Sequence, residues 1–164
     1  MRMLLPIAVI LAAWSSAGAE PLKPGDRLEP FAIDDQRGSP HTVDAQVRAI
    51  LFARDMKGGD IVKAALAEAG AERLADADAV YIADVSGMPA LVLRLFALPK
   101  LRRREYPMLL DTDGGLTQPL PAADGMATLI QLRKLEIIAV AHYDSSEAVR
   151  SALEALRRDA SGSR

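Results

Sequence analysis

Cysteine is missing altogether from this 164-residue chain, while histidine occurs twice and tryptophan once. Without a thiol there can be no disulfide, no sulfur-ligated zinc or iron–sulfur centre, and no thiolate nucleophile. Two histidines, His41 and His142, cannot furnish a multi-histidine metal site, and no metal is expected. A strong charge of either sign is absent too. The formal net charge is −2 and the pI about 5.7, so no overall basic field gathers nucleic acid. Neither G-x-G-x-x-G nor G-x-x-x-x-G-K-[ST] occurs, so no motif supports a dinucleotide or ATP, and no cofactor is expected. What remains is the make-up of a globular chain, 50% apolar and 26% charged with 4% aromatic residues, at the length of one domain.

The amino-terminal segment reads as an address. Arg2 supplies a positive start. Leu4 to Trp14 is an apolar run of eleven residues, short of the roughly 20 that span a bilayer. Ser15-Ser16-Ala17-Gly18-Ala19 then offers small residues, with Ala17 and Ala19 in the A-x-A relation that a signal peptidase reads. The expectation is a signal peptide over 1–19 cleaved after Ala19, with a periplasmic mature chain that carries no transmembrane segment. The run's length argues against an uncleaved anchor, and lipoprotein attachment needs a cysteine that is not there. An oxidising compartment permits disulfides, but this chain must rely on its core. Residues 20–159 read as one domain and 160–164 as a disordered tail.

Along that domain, Pro30–Ile33 reads as a strand, Asp34–Gly38 as a turn and His41–Val43 as a returning strand. Ala49–Phe52 and Ala79–Val85 are short continuous apolar runs, the pattern of buried central strands. Between them Gly58-Gly59-Asp60 opens a helix whose stripe is Ile61, Val62, Ala65, Leu66 and Ala69. Pro89 begins a second helix that runs through Leu91, Leu95 and Leu98 to a break at Pro99. Tyr106–Asp111 and Leu116–Leu120 read as strands joined by a turn at Asp113-Gly114-Gly115, and Pro119 marks an edge. Thr128–Leu132 and Glu136–His142 form a further strand pair. Asp144-Ser145-Ser146-Glu147 is a capping-box pattern before a terminal helix through Val149, Leu153 and Leu156. The sum is an α/β sandwich with a mixed sheet.

The phrase P-G-D-x-L-x-P-F-x-I-D-D-x-x-G-x-x-x-T-V, from Pro24 to Val43, resembles the N-terminal hairpin of peroxiredoxins and secreted thioredoxin-like reductases. In those families the hairpin leads to a central strand ending in a phrase such as F-W-A-x-W-C-x-x-C, then a helix. Here the corresponding run is Phe52-Ala53-Arg54-Asp55-Met56-Lys57-Gly58-Gly59-Asp60, with Lys57 and Asp60 where the two cysteines would stand. The families' next landmark is a proline, usually cis, opening the strand before the final hairpin, and Pro107 in Tyr106-Pro107-Met108-Leu109-Leu110-Asp111 matches it. The resemblance spans roughly Leu22 to Leu120. It implies a thioredoxin-like sandwich, a central mixed sheet flanked by helices with an N-terminal β-hairpin. Lysine and aspartate form no mixed disulfide, and the peroxidatic phrase is absent, so thiol redox and thiol peroxidase activity are excluded.

Two readings of the cysteine-less corner stand side by side. In the plain one, Asp60 caps its helix and the neighbouring charges are solvated. In the functional one, the helix start after Gly58-Gly59 is an anion cradle to which Arg54 and Lys57 add charge while Asp55 and Asp60 subtract it. The basic run Lys100, Arg102, Arg103 and Arg104 reads as a solvated helix end, or as a dock for an anionic partner or membrane surface. The apolar helix from Met88 to Leu98 is expected to be buried between the sheet and its neighbours. Asp111 and Asp113 lack the ligand series of a calcium loop and read as a hairpin turn. The expected function is a non-catalytic binding module. It would take a periplasmic protein partner or a small anionic ligand on the face formed by Arg54, Asp55, Lys57, Gly58, Gly59, Asp60, Tyr106 and Pro107. The alternative is an oxidoreductase-type enzyme with a non-covalent cofactor such as a flavin.

Overall fold

The computed structural model describes residues 20–70 and 72–162. The expected signal peptide therefore lies outside the described residues. Seven strands occur among them: β1 (Phe31–Asp34), β2 (Pro40–Val43), β3 (Ala49–Ala53), β4 (Ala79–Asp84), β5 (Leu109–Asp111), β6 (Ala127–Arg133) and β7 (Glu136–Tyr143). The helices are α1 (Met56–Ala69), α2 (Arg73–Asp76), α3 (Ala90–Val92), a π-helical turn over Leu93–Ala97, α4 (Leu98–Leu101) and α5 (Ser146–Gly162). β1 and β2 pair as an antiparallel hairpin, and the other strands form one mixed sheet in the order β5-β4-β3-β6-β7. β3 runs parallel to β4 and β4 to β5, whereas β6 is antiparallel to both β3 and β7.

The period-2 alternation of β3 divides the core in two. Ala49, Leu51 and Ala53 face a cluster under α1 and α5 with Val62, Leu66, Leu129 and Leu153. Ile50 and Phe52 face the opposite cluster with Ile33, Val43, Leu120, Ile130 and Ile137, roofed by the β1–β2 hairpin and the chain near Leu120. Because both faces of β3 are covered, all five of its residues are buried, and the sequence reads there as one apolar run.

The departures from expectation have physical causes. Leu116–Leu120 is a series of turns and not a strand. The buried Asp111 carboxylate gathers the amides of Asp113 (3.3 Å), Gly114 (2.9 Å) and Thr117 (2.8 Å), folding that segment back on itself. The helical path does not stop at Pro99. A π turn, in which the Leu98 N–H bonds to the Leu93 carbonyl, stands just before it, and this widened turn relaxes the crowding a proline imposes inside an α-helix. The Met88–Leu98 helix is also not buried. Leu91, Val92, Leu95 and Phe96 are exposed. Since α1 and α5 already occupy that face of the sheet, the segment contributes only Leu98 and Leu101 to the margin of the first cluster. At the C terminus α5 continues through Gly162 with Ala160 buried, so 160–162 are helical and not a disordered tail. Ser145 caps α5, its Oγ accepting the Ala148 N–H at 3.4 Å, one residue beyond the Asp144 position of the capping-box reading.

Candidate functional site

The β3–α1 junction is built around Asp55. Its backbone is extended (φ −134°, ψ 172°), the conformation an N-cap needs, and α1 begins at Met56. Asp55 Oδ1 accepts the Gly58 N–H at 2.8 Å, and Oδ2 accepts the Gly125 N–H at 2.6 Å. One carboxylate thus caps the helix and ties it to the loop entering β6. The Gly58 and Gly125 amides hold its pKa below the ordinary aspartate range, against the opposing effect of burial, with smaller help from Lys57. Asp60 is therefore not the cap. It lies within the first turns of α1 and pairs with Lys63 on the exposed face.

Gly58 marks how tightly the two segments meet. A Cβ there would stand 2.3 Å from the Met126 carbonyl oxygen, so only glycine lets the helix approach the 125–126 backbone. Lys57 lies across this loop, its side chain stretched over Gly125, while Gly59 sits above the buried Tyr81 hydroxyl. Arg54 points the other way. Its guanidinium donates to the carbonyls of Thr117 (2.9 Å) and Leu120 (3.0 Å) and packs 5.4 Å over the Phe52 ring. It buttresses the 117–120 turns and is not aimed at an anion beside the helix start.

Six of the eight expected site residues, Arg54, Asp55, Lys57, Gly58, Gly59 and Asp60, gather at this corner. Tyr106 and Pro107 do not join its surface. Tyr106 is buried, its ring 6.4 Å from that of Tyr81, and it borders a hollow of about 250 Å³ with Leu66, Ala67 and Gly70 at the opposite end of α1. Burial raises the pKa of its hydroxyl, Arg104 working in the opposite direction, and the hydroxyl has no hydrogen-bond partner among the described residues. Pro107 is an exposed residue ahead of β5, and no cis peptide occurs among the described residues. The strand that opens the closing hairpin is β6, and the residue before it is Met126. By topology the residue before the strand that opens the closing hairpin is Met126 and not Pro107, so the match of the landmark proline to Pro107 is corrected. A phrase of proline, apolar residues and aspartate occurs in front of β5 as well, which is why sequence spacing pointed there.

Sequence reading also missed Gln36. Its buried side chain donates from Nε2 to the Tyr106 carbonyl (2.9 Å) and accepts the Met108 N–H at Oε1 (2.8 Å), bracketing Pro107 and pinning the hairpin to β5. Nothing in the local pattern distinguishes it from a solvated turn residue. Gly125 was equally hidden, though a glycine before a strand with φ +68° is a recognisable turn signal.

A β3–α1–β4 unit with parallel strands, followed by the antiparallel β6–β7 pair and a helix packed back on the sheet, makes this a thioredoxin-like fold. No protein-family model and no curated protein sequence matches the chain. Among solved structures it is similar to peroxidoxin BcpB from Mycobacterium tuberculosis, with 19% identity and a TM-score of 0.57 over 84% of this chain and 97% of that one. The exposed lipoprotein thioredoxin Etrx1 from Streptococcus pneumoniae is 13% identical, with a TM-score of 0.54 over 77% of this chain and 98% of its own. A peroxiredoxin-like protein from Aquifex aeolicus is 12% identical, with a TM-score of 0.52 over 85% and 90%.

Proposed function

We propose that this chain is an exported thioredoxin-like binding module without thiol chemistry, docking a protein partner through the exposed start of α1. The observation that carries the reading is what stands at the helix start. Asp55 closes the corner internally, and Met56, directly after it, is 77% exposed. Redox proteins of this fold need a thiolate at such a helix end. This chain offers there a flexible apolar side chain flanked by the exposed Lys57 and Asp60, chemistry suited to a protein surface. A small anion is the weaker candidate because the chain's own carboxylate already takes the Gly58 amide an outside anion would use. Export is supported by Arg2, the short apolar run and Ala17-x-Ala19, and a periplasmic location follows from it. No helix among the described residues is long and apolar enough to cross a membrane.

The test compares the tagged chain with its Met56→Asp variant, both recovered from the exporting cell under gentle conditions. The expected result is a partner near equal stoichiometry with the unaltered chain and its loss from the variant, at unchanged melting temperature. The same partners with both forms, or none with either, would overturn the reading.

A further inference from the structure

From Ala90 to Leu101 the helical path stands out from the sheet edge. Between residues 89 and 96 only Leu93 is buried, while Leu91 (68%), Val92 (42%), Leu95 (58%) and Phe96 (63%) remain exposed. Phe96 is the exposed member of a set of three phenylalanines, Phe52 being fully buried and Phe31 half-buried. The chain carries a formal net charge of −2, yet residues 88–104 hold Arg94, Lys100, Arg102, Arg103 and Arg104 and no acid. Arg94, Lys100 and Arg103 form no ion pair among the described residues. The carbonyls of Arg102 and Arg104 accept from Arg37, which brings a further cation beside them.

We propose that the α3–α4 segment is a membrane-docking element. Leu91, Val92, Leu95 and Phe96 would enter the headgroup boundary of an anionic phospholipid bilayer, and Lys100 and Arg103 would meet its phosphates. Apolar aliphatic and aromatic side chains beside unneutralised cations are the pattern of helices that lie in an interface. The charge selects this occupant over a second copy of the chain. A two-fold contact through the same patch sets the basic run against itself with no acid in the segment to neutralise it. The π turn suits the role as well, since it carries the helix past Pro99 and keeps the apolar and basic stretches on one continuous path. This surface is separate from the Met56 corner and does not depend on it.

The test is flotation of the full chain with vesicles of phosphatidylcholine alone or mixed with phosphatidylglycerol, beside a Leu95→Glu/Phe96→Glu variant and a Lys100→Glu/Arg103→Glu variant. All three carry the same amino terminus, so any contribution of residues 1–19 is common to them. The altered side chains are exposed, and melting temperatures confirm folding. Expected is binding to the anionic vesicles that weakens at least about tenfold in either variant and falls as salt rises. Equal binding by all three forms, or no binding by the unaltered chain, would overturn the proposal. So would a dimer in solution that only the Leu95→Glu/Phe96→Glu variant dissociates, with no dependence on anionic lipid.

Discussion

Asp55 and Gly58 show how much of this junction rests on single residues. The two Asp55 oxygens engage different segments, α1 through Gly58 and the β6 approach through Gly125, so removing the side chain leaves two amides unpaired. Asp55→Ala should lower unfolding free energy by about 2–3 kcal/mol, read by denaturant titration. The carboxylate's pKa is held below its ordinary value, so the unfolded chain takes up the proton first as pH falls. Its contribution is therefore complete above the ordinary aspartate value of about 4 and is lost as pH drops below it. The unaltered chain should lose stability over that window more steeply than Asp55→Asn, and parallel acid limbs would contradict this assignment. Gly58→Ala tests the close approach to Met126. The helix-propensity gain of about 1 kcal/mol should be outweighed by a clash that costs about 2–3 kcal/mol, giving a net loss of stability.

The elements differ in how far their sequences declare them. β3 and β4 were legible because strands covered on both faces are written as uninterrupted apolar runs, and α5 because its stripe of Val149, Leu153 and Leu156 is regular. The β6–β7 connection was less so. Lys134 and Leu135 both adopt positive φ (49° and 71°), the conformation of a two-residue hairpin turn that asparagine and glycine favour. The fold tolerates this because Leu135 is buried in the second cluster and its carbonyl accepts the Leu28 N–H at 2.9 Å. Lys134→Asn should raise stability by about 0.5–1 kcal/mol without altering the sheet, measurable as a higher melting temperature. The segment from Met88 to Leu98 was expected to be buried, and is not, because apolarity alone does not say whether a sheet face is still free to receive a helix. Here α1 and α5 had already taken it. The candidate corner was legible in its charged residues but not in its geometry. Which aspartate caps the helix, and which distant glycine meets it, depend on the β6 approach some 70 residues away.

At the scale of the whole molecule, two apolar clusters on either side of one sheet hold together a chain without a disulfide. At the start of α1 a carboxylate is turned inward and a methionine outward. The proposed division of labour follows. The Met56 corner recognises a protein, while the basic and apolar α3–α4 segment faces a membrane. The most direct test of the first role is site-specific photocrosslinking, with a benzophenone side chain in place of Met56 and, as the control, in place of the exposed Ile138 on β7. Irradiation of exporting cells should give a discrete protein adduct from position 56 and none from position 138. No adduct from position 56, or the same adducts from both positions, would contradict a partner-binding role for the start of α1.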